Sequence, residues 1–411
     1  MRFSEYRINP EIKNNLEAMG FKRPTDIQYK CIPPILKGED LLAIAQTGTG
    51  KTAAFAIPVV HLIHESKKSA RADAIQCLVM APTRELALQI TDVFQQISQK
   101  TRVKVFCLYG GVDQDPQIAR MEKGVDVLVS TPGRMFDLHS QGHFDLKQVE
   151  FLILDEADRM FDLGFLKDIQ DVKRLLPRKH QTLFFSATIN DRIKKLAYSL
   201  VNQHAVRIQM SPKDPVSKNV RHSVAFIEMD DKRFFLERLV KDHPEAKMLV
   251  FVRTKVRAER VHAAMLRVDV PTETLHGDKE QLERLAVLQR FREGELRVLI
   301  ATDVSARGID VPDVEYVVNY DLPDVAENYV HRVGRTGRGE RKGDAISFCS
   351  TEEKPMLAEI EAYIGKPIAV ATIDRKEYAE TIRLTEDVGD KWRDIMKEID
   401  QAEPFYKKKK K

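Results

Sequence analysis

The chain is poor in cysteine and in long apolar runs, and each shortage excludes a class of protein. Only four of the 411 residues are cysteines, and they lie far apart in the sequence. Disulfide bonds and a structural zinc site are therefore not expected, and a reducing cytoplasm is the compartment that fits. No apolar run is long enough to cross a bilayer, because even residues 52–63 are interrupted by Pro58 and His61. The N-terminus also lacks the apolar core of a signal peptide.

Net charge is low as well. The formal charge is +4, and residues 407–411 are all lysine, so the rest of the chain is close to neutral. Bulk charge therefore does not indicate a polyanion as partner, and any basic surface must be local. The lysine run either adds salt-sensitive affinity for nucleic acid or is a solvated end. Apolar residues make up 43% of the chain, which is typical of a globular protein.

Apolar strands alternate with helices along most of the chain, which predicts α/β domains with parallel sheets. The pattern lapses at residues 211–219, where two prolines and small residues indicate a linker, and then restarts. Predicted strands lie at 41–45, 74–80, 103–109, 125–130, 151–154, 183–185, 247–252, 272–276, 298–302, 316–319 and 345–349. The predicted divisions are an N-terminal region at 1–30, a first domain at 31–210, the linker, a second domain at 220–375 and a charged tail at 376–411.

A glycine-rich loop follows the first predicted strand and is half of the predicted site. It matches the P-loop pattern except that Ala45 stands where a glycine is expected. Backbone N–H groups of such a loop bind phosphate, Lys51 neutralises the β- and γ-phosphates, and Thr52 reaches Mg²⁺. The alternative is a turn that binds nothing. The residues expected around the phosphates are Ala45, Gln46, Thr47, Gly48, Thr49, Gly50, Lys51 and Thr52.

An apolar strand that runs into three carboxylates is the other half. Residues 151–154 are apolar, and the next four positions include Asp155, Glu156 and Asp158. Because burying unpaired carboxylates is costly, charge at the tip of a buried strand indicates chemistry. Asp155 is expected on the Mg²⁺ side and Glu156 as the base that orients or deprotonates the attacking water. For Asp158, a catalytic role and a plain acid at a helix N-terminus both stay open.

Two further segments have both a functional and an ordinary interpretation. The carboxamide of Gln28 can pair with the N6/N7 edge of adenine, which predicts ATP over GTP, or it is an exposed loop glutamine. Residues 331–338 carry three arginines broken by glycines. They form either a solvated basic turn or, on domain closure, a source of arginine fingers at Arg335 and Arg338.

Residues 248–255 repeat the strand-loop-helix plan of the P-loop without its glycines, so only the first domain is expected to hold a nucleotide.

Small residues, hydroxyls and arginines also follow other strands of the first half, at 82–84, 110–111 and 131–134. Such groups suit contacts to a sugar-phosphate backbone, which carry no base sequence. Ordinary capped turns are the alternative.

Taken together, these motifs resemble the DEAD-box ATP-dependent RNA helicases of superfamily 2, with Asp155-Glu156-Ala157-Asp158 as the literal DEAD sequence. The flank at residues 159–165 resembles the bacterial RhlE-like subgroup. The resemblance spans about residues 3–375. The matching segments in chain order are Phe3 with Gln28, 45–52, 82–87, 110–111, 131–134, 155–158, 186–188, 251–254, 276–278 with Gln281 and Arg284, 301–303, 307–310 and 331–338.

The resemblance implies two tandem RecA-like domains, each a mostly parallel sheet flanked by helices, that close over ATP, Mg²⁺ and one RNA strand. It implies a cytoplasmic, monomeric RNA-stimulated ATPase that opens duplexes locally or remodels ribonucleoproteins, in ribosome assembly or RNA decay. An ATP-gated RNA clamp and a DNA-directed helicase are the alternatives. RNA would be selected over DNA through its 2′-hydroxyls and backbone shape.

The resemblance also implies roles for individual residues. The adenosine would contact Phe21, Arg23, Gln28 and Asp310. Coupling between hydrolysis and RNA binding would involve Asp158, Ser186, Thr188, Arg307 and His331. The RNA would contact Pro82, Thr83, Arg84, Gly111, Thr131, Gly133, Arg134, Arg253, Thr254, Gly277 and Thr302.

Overall fold

The chain folds into two units, and the division between them falls in the predicted linker region. The computed structural model describes residues 2–46, 48–67, 74–177, 179–210, 216–306, 314–337, 342–374 and 376–383. Linker residues 211–215 and the lysine run lie outside these ranges. Each unit has its own parallel sheet and is described by itself.

The first unit alternates strands and helices, as the apolar pattern predicts. Its strands are β1 (Leu41–Ile44), β2 (Cys77–Met80), β3 (Val105–Leu108), β4 (Val127–Ser130), β5 (Phe151–Leu154), β6 (Gln181–Ser186) and β7 (Val206–Gln209). Its helices are α1 (Pro10–Ala18), α2 (Asp26–Leu36), α3 (Lys51–Ser66), α4 (Arg84–Ile97), α5 (Asp115–Glu122), α6 (Pro132–Ser140), α7 (Ala157–Asp162), α8 (Leu166–Leu175) and α9 (Asp191–Leu200). A 3-10 turn at Phe3–Glu5 precedes them.

The sheet of the first unit has the order β3-β4-β2-β5-β6-β1-β7, and its described pairings are all parallel. Strands β1, β2 and β5 are apolar throughout and fully buried, because both faces of the sheet are covered by helices. Phe151 and Ile153 of β5 belong to one core cluster, whereas Leu152 and Leu154 belong to the other. The carboxyl ends of all seven strands therefore open on one edge, where the predicted motifs lie.

The second unit repeats this plan. Its strands are β8 (Val220–Phe226), β9 (Met248–Val252), β10 (Thr272–Leu275), β11 (Val298–Thr302), β12 (Tyr316–Asn319), β13 (Gly343–Cys349) and β14 (Ala369–Val370). Its helices are α10 (Lys232–Asp242), α11 (Lys255–Leu266), α12 (Gln281–Glu293), α13 (Asp303–Ala306), α14 (Ala326–Val333) and α15 (Lys354–Ile364), with a 3-10 turn at Thr351–Glu353. The sheet order β10-β11-β9-β12-β13-β8-β14 is that of the first unit, strand for strand.

This shared topology corrects the proposed repeat at residues 248–255. Strand β9 takes the place of β2, so the segment matches the turn at residues 82–84 and not the P-loop. The counterpart of β1 is β8, which the sequence pattern missed because Arg221, His222 and Ser223 interrupt its apolar residues. Backbone hydrogen bonds fix the register: Ala45 N–H donates to Ser186 O at 2.9 Å, and Ile227 N–H donates to Cys349 O at 3.1 Å.

The predicted strands are confirmed, with ends that shift by a few residues. Besides β8, the pattern missed the edge strands β7 and β14, which are mostly exposed. Part of the predicted tail is helical at residues 376–383. There the hydroxyl of Tyr378 donates to Asp231 at 2.7 Å, and its ring lies against Phe235. Within the described ranges, none of the helices combines the length and apolar character of a membrane span.

The start of α1 is tied to α3 through a histidine. Asn9 caps α1 by accepting from Glu11 N–H at 2.9 Å, and its own N–H donates to Nδ1 of His61 at 3.2 Å. Burial lowers the pKa of His61, and the nearby Glu65 carboxylate opposes that shift. The unprotonated ring is therefore the form that supports the N-terminal segment.

We expect this contact to make stability depend on pH. A histidine whose folded pKa lies below its ordinary 6.5 stabilises the fold above that pH, and the contribution is lost as pH falls through the folded pKa. The midpoint of thermal unfolding should fall more steeply between about pH 7.5 and about pH 5 in the wild type than in His61→Gln, which cannot titrate. The exposed His204→Gln serves as the control and should follow the wild type. Parallel curves for all three proteins would contradict the assignment.

Candidate active site

The phosphate loop joins β1 to α3 at the carboxyl edge of the first sheet. Gly48 and Gly50 have φ values of 77° and 92°, which only glycine adopts without strain. Gly50 is the N-cap of α3, so the free N–H groups of that helix open into the loop. Lys51 is 6% exposed, and its ammonium donates to Ala45 O at 2.8 Å. The hydroxyl of Thr49 donates to Gln46 O at 2.8 Å.

Gln28 is a buried brace for this loop and not an exposed glutamine. Its Oε1 accepts from Thr25 N–H at 3.0 Å, and its Nε2 donates to Gly50 O at 3.2 Å. The hydroxyl of Thr25 donates to Thr49 O at 2.9 Å. Each end of a carboxamide retains capacity for one more hydrogen bond. The brace therefore leaves Gln28 able to contact a base while it holds the loop.

The other predicted nucleotide contacts lie around this brace. Phe21 stacks on the buried ring of Phe3 with centroids 6.2 Å apart. Arg23 is exposed, and Thr52, the second residue of α3, is half-buried. Thr47 lies outside the described residues.

Asp155 follows β5 directly and is buried beside the loop. Burial raises the pKa of Asp155 to about 6, while the Lys51 charge and a hydrogen bond from Glu156 N–H oppose that rise. A desolvated carboxylate of this kind suits a hard cation such as Mg²⁺. Among the described residues no three His, Cys, Asp or Glu side chains form a metal cluster by themselves. The site therefore fits a metal ion that is coordinated partly by protein oxygens and partly by the oxygens of a bound phosphate.

Glu156 is held in a strained conformation. Its φ and ψ of 51° and 50° are left-handed, which is unusual for a non-glycine residue and is typical of functional sites. Its side chain is nearly buried, and Oε2 lies 3.4 Å from Nη1 of Arg159. In the sequence, Arg159 is notable only as part of the segment that resembles the RhlE-like subgroup. Arg159 follows Glu156 by three positions at the start of a helix, and this spacing is the sequence signal that could have indicated the ion pair.

Asp158 lies next to the segment that follows β6. Its Oδ2 accepts from Ala187 N–H at 3.0 Å and from the N–H and hydroxyl of Thr188 at 2.9 and 3.0 Å. The hydroxyl of Ser186 donates to Thr188 O at 2.8 Å. The structure thus brings together three of the residues for which a coupling role was predicted.

The turns that follow β2, β3 and β4 lie in contact with one another. A Cβ on Gly111 would lie 2.1 Å from Nη1 of Arg84, so the arginine packs directly against this glycine. Arg134 donates to Val112 O at 2.9 Å. Oε1 of Gln117 accepts from Tyr109 N–H at 3.0 Å and so holds the same loop, a contact that no local sequence pattern indicates. The described members of this predicted nucleic-acid surface are Pro82, Thr83, Arg84, Gly111, Thr131, Gly133 and Arg134.

The predicted contacts of the second unit occupy equivalent turns. Thr83 and Thr254 are the N-caps of α4 and α11, and each accepts a hydrogen bond from the third residue on. Thr131 directly follows β4, whereas Thr302 ends β11 at the equivalent register position. Gly277 follows β10 as Gly110 follows β3, and a Cβ added to it would meet nothing within 4 Å. The chain therefore places two matching sets of turns on two equivalent sheet edges.

The arginine-rich segment lies at the end of α14. Nε of Arg335 donates to His331 O at 3.2 Å, and His331 lies 3.8 Å from Glu327. Arg332, for which the sequence predicted no separate role, is buried and forms a two-point ion pair with Asp303 at 2.6 and 2.7 Å. Arg307, Asp310 and Arg338 lie outside the described residues.

A phosphate loop after the first strand and a carboxylate after the fifth define a P-loop nucleotide-binding domain of the RecA-like type. Residues 25–196 match the family model for the DEAD/DEAH box helicase, and residues 231–340 match the helicase conserved C-terminal domain. The chain belongs to the DEAD/DEAH box helicase family.

Curated relatives agree with this assignment. The chain is 40% identical over 386 residues to the ATP-dependent RNA helicase RhlB of Shewanella oneidensis, covering 93% of this chain and 88% of the relative. It is 39% identical over 385 residues to RhlB of Shewanella frigidimarina, with the same coverage. The RhlE-like assignment drawn from residues 159–165 is not supported, because these relatives carry the name RhlB.

Solved structures confirm the architecture of two RecA-like domains. Dbp5 of S. cerevisiae bound to RNA and ADP BeF3 superposes with a TM-score of 0.83 at 32% identity, covering 94% of this chain and 99% of that one. Mss116p bound to ssRNA and AMP-PNP gives a TM-score of 0.82 at 27% identity, covering 98% and 86%.

We expect Asp158→Asn to weaken the first unit. Both carboxylate oxygens accept hydrogen bonds, Oδ2 from residues 187 and 188 and Oδ1 from Arg159 N–H at 3.1 Å. An amide has only one acceptor oxygen, so its NH₂ group would face a donor on one side. The free energy of unfolding should fall by about 1–3 kcal/mol in denaturant titrations. Glu122→Gln, on the exposed face of α5, makes the same chemical change without these contacts and should leave the value unchanged. Equal stability of both variants would show that the contacts are dispensable.

Proposed function

We propose that this chain is a cytoplasmic, monomeric RNA-stimulated ATPase that opens RNA duplexes locally or remodels ribonucleoproteins. The observation that carries the proposal is the gathering of Lys51, Asp155 and Glu156 on the sheet edge that also presents the turns with Arg84 and Arg134. Family membership and the RNA-bound structural relatives support it. Ribosome assembly and RNA decay are the two pathways that suit such an activity.

ATP would bind with its phosphates on the loop that precedes α3. Free N–H groups at the start of that helix and the Lys51 ammonium favour the negative charge. Asp155 and Thr52 would hold Mg²⁺, which would neutralise charge on the phosphate oxygens. The adenine would lie against Phe21 with its edge at Gln28. Since Gln28 is hydrogen-bonded to Gly50 O, base recognition and loop geometry would be linked directly.

Glu156 would orient or deprotonate the attacking water. Its carboxylate is almost fully enclosed, and the left-handed backbone fixes its direction. The guanidinium of Arg159, 3.4 Å from Oε2, helps to hold the carboxylate in place. Arg335 and Arg338 would stabilise charge on the transferring phosphoryl group, with His331 beside them, and Asp310 would contact the ribose.

RNA would bind to the equivalent turns of the two units. Backbone N–H groups, threonine hydroxyls and arginines contact phosphate and sugar without reading bases. The 2′-hydroxyl would distinguish RNA from DNA. The hydrogen bonds that Asp158 accepts from residues 187 and 188 would connect the segment after β5 to the segment after β6. Arg307 would complete this coupling between hydrolysis and RNA binding.

The alternative is an ATP-gated clamp, whose output is a long-lived RNA complex with little strand separation. The same residues serve both outputs, so unwinding of a short duplex distinguishes them. A DNA-directed helicase is the other alternative, and stimulation by DNA would indicate it.

The test is ATP hydrolysis without nucleic acid, with single-stranded RNA and with DNA of the same sequence. RNA alone should stimulate the wild type, and Glu156→Gln should lower the turnover number about 10²- to 10⁴-fold, as expected for loss of a general base. Glu156→Gln should still bind RNA and an ATP analogue. Glu150→Gln, exposed just before β5, makes the same change away from the site and should behave as the wild type. Hydrolysis that ignores RNA would overturn the proposal.

We further expect Gly111→Ala to weaken RNA binding. Its Cβ would displace the Arg84 guanidinium, from which it would lie 2.1 Å, so one phosphate contact should be lost. The RNA concentration that half-saturates the ATPase should rise about tenfold, as for one charge-assisted hydrogen bond. Gly142→Ala is matched, because Gly142 also has a positive φ of 81° but has nothing within 4 Å. If both variants raise the value equally, backbone strain and not Arg84 is responsible.

A further inference from the structure

The place that the phosphate loop occupies in the first unit is filled by an internal ion pair in the second. Helix α10 follows β8 as α3 follows β1, and each helix begins with a lysine, Lys232 and Lys51. The connection before Lys232, residues 227–231, has no glycine. Lys232 is 0% exposed, and its ammonium contacts the carboxylate of Glu353, which is 1% exposed.

The second unit therefore supplies a carboxylate of its own to a lysine at the P-loop position. Lys232 also donates to Tyr320 O at 2.7 Å, and Tyr320 follows β12 as Asp155 follows β5. The matching bonds Asp155 N–H to Met80 O, 3.1 Å, and Tyr320 N–H to Phe251 O, 3.0 Å, establish this correspondence. A lysine already neutralised inside the core does not need phosphate as a counter-charge, which gives a physical reason for the expectation that only the first unit binds a nucleotide.

The partners of this ion pair converge on one predicted RNA contact. Oε1 of Glu353 lies 3.4 Å from Nη2 of Arg253. Oδ2 of Asp321, at the position that corresponds to Glu156, accepts from Arg253 N–H at 3.2 Å. Two buried carboxylates thus hold both the main chain and the guanidinium of Arg253. The next residue, Thr254, caps α11.

Stability alone does not account for these charges. Replacing a buried ion pair by neutral residues of similar shape is often neutral or stabilising, because desolvation offsets the attraction. Neutral residues would not supply the fixed negative charge of Glu353 that orients Arg253. Nη2 of Arg253 faces the buried Glu353, whereas Nη1 lies 3.6 Å from the exposed Asp324 and 3.7 Å from Sδ of Met356. The side chain is 26% exposed, so a ligand would reach the guanidinium at its exposed edge.

We propose that Lys232 and Glu353 are a positioning pair for nucleic-acid binding by the second unit, which holds the turn at Arg253 and Thr254 in its binding geometry. The proposal rests on the RNA-dependent activity proposed above. Lys232 fixes and neutralises Glu353, and Glu353 together with Asp321 fixes Arg253.

The test is the double variant Lys232→Met with Glu353→Gln in the full chain. Both side chains keep their approximate shape, and the buried Asp321, which loses Lys232, keeps its ion pair with Arg257 at 3.4 Å. The amide has one acceptor oxygen, so it retains only one of the two hydrogen bonds that Glu353 accepts from Ser350 N–H and Leu322 N–H. The RNA concentration that half-saturates the ATPase should rise about tenfold, as for a loosened charge-assisted contact to phosphate. The turnover number at saturating RNA and the KM for ATP should each stay within about twofold, because neither the first unit nor residues 331–338 are changed.

The matched control is Lys67→Met with Asp126→Asn. This pair is also buried, with 2.7 Å between the charged atoms, and Asp126 lies at the amino end of β4, away from the turns. It should leave the RNA dependence of the ATPase unchanged. An equal rise in both double variants would make the effect a general result of lost buried charge and would overturn the proposal.

A folded Lys232→Met, Glu353→Gln protein with the RNA half-saturation of the wild type would also overturn it. If that protein does not fold, it is replaced by Glu353→Asp, which keeps a negative charge for Lys232 but shortens the side chain, combined with Arg253→Gln in a double-mutant cycle. Additive effects there would overturn the proposal, whereas a coupled effect supports it. A wild type without RNA stimulation would instead contradict the proposed function, so the two failures are distinguishable.

Discussion

The parallel hydrogen-bond ladder is the constraint on which the rest of this structure depends. Because every described strand pairing in each sheet is parallel, the carboxyl ends of the strands open on one edge. The polar turns that follow β1, β2, β4 and β5 are distant in sequence and become neighbours only through this ladder. Helices cover both faces and leave that edge as the place where polar groups can meet a ligand.

Two units with one strand order have diverged in chemistry at that edge. In the first unit, glycines at positive φ open a loop, and Lys51 faces it beside the desolvated Asp155. In the second unit, the equivalent lysine is enclosed with Glu353. The turns after β2 and β9 have kept their threonine caps, because a helix N-terminus needs an acceptor there in both units.

Buried carboxylates act in this protein mainly as acceptors that fix loops. Asp158 receives three hydrogen bonds from residues 187 and 188, and Asp321 receives one from the main chain of Arg253. Such groups are costly to bury unless every partner is in place, so they favour one loop conformation over its alternatives. A catalytic edge built from loops gains its rigidity from these contacts.

The sequence by itself determined the alternation of elements, the phosphate loop, the acid cluster and the family, because these depend on local patterns such as apolar period, glycine spacing and strand-to-helix turns. It did not determine which strand of the second half corresponds to β1, and β8 was missed because its polar residues break the apolar run. Only the tertiary structure decided that Gln28 braces Gly50, that Arg159 faces Glu156 and that Lys232 pairs with Glu353. The last pair is separated by more than a hundred residues, and a lone charged residue carries no local sign of its partner until the sheet brings the two together.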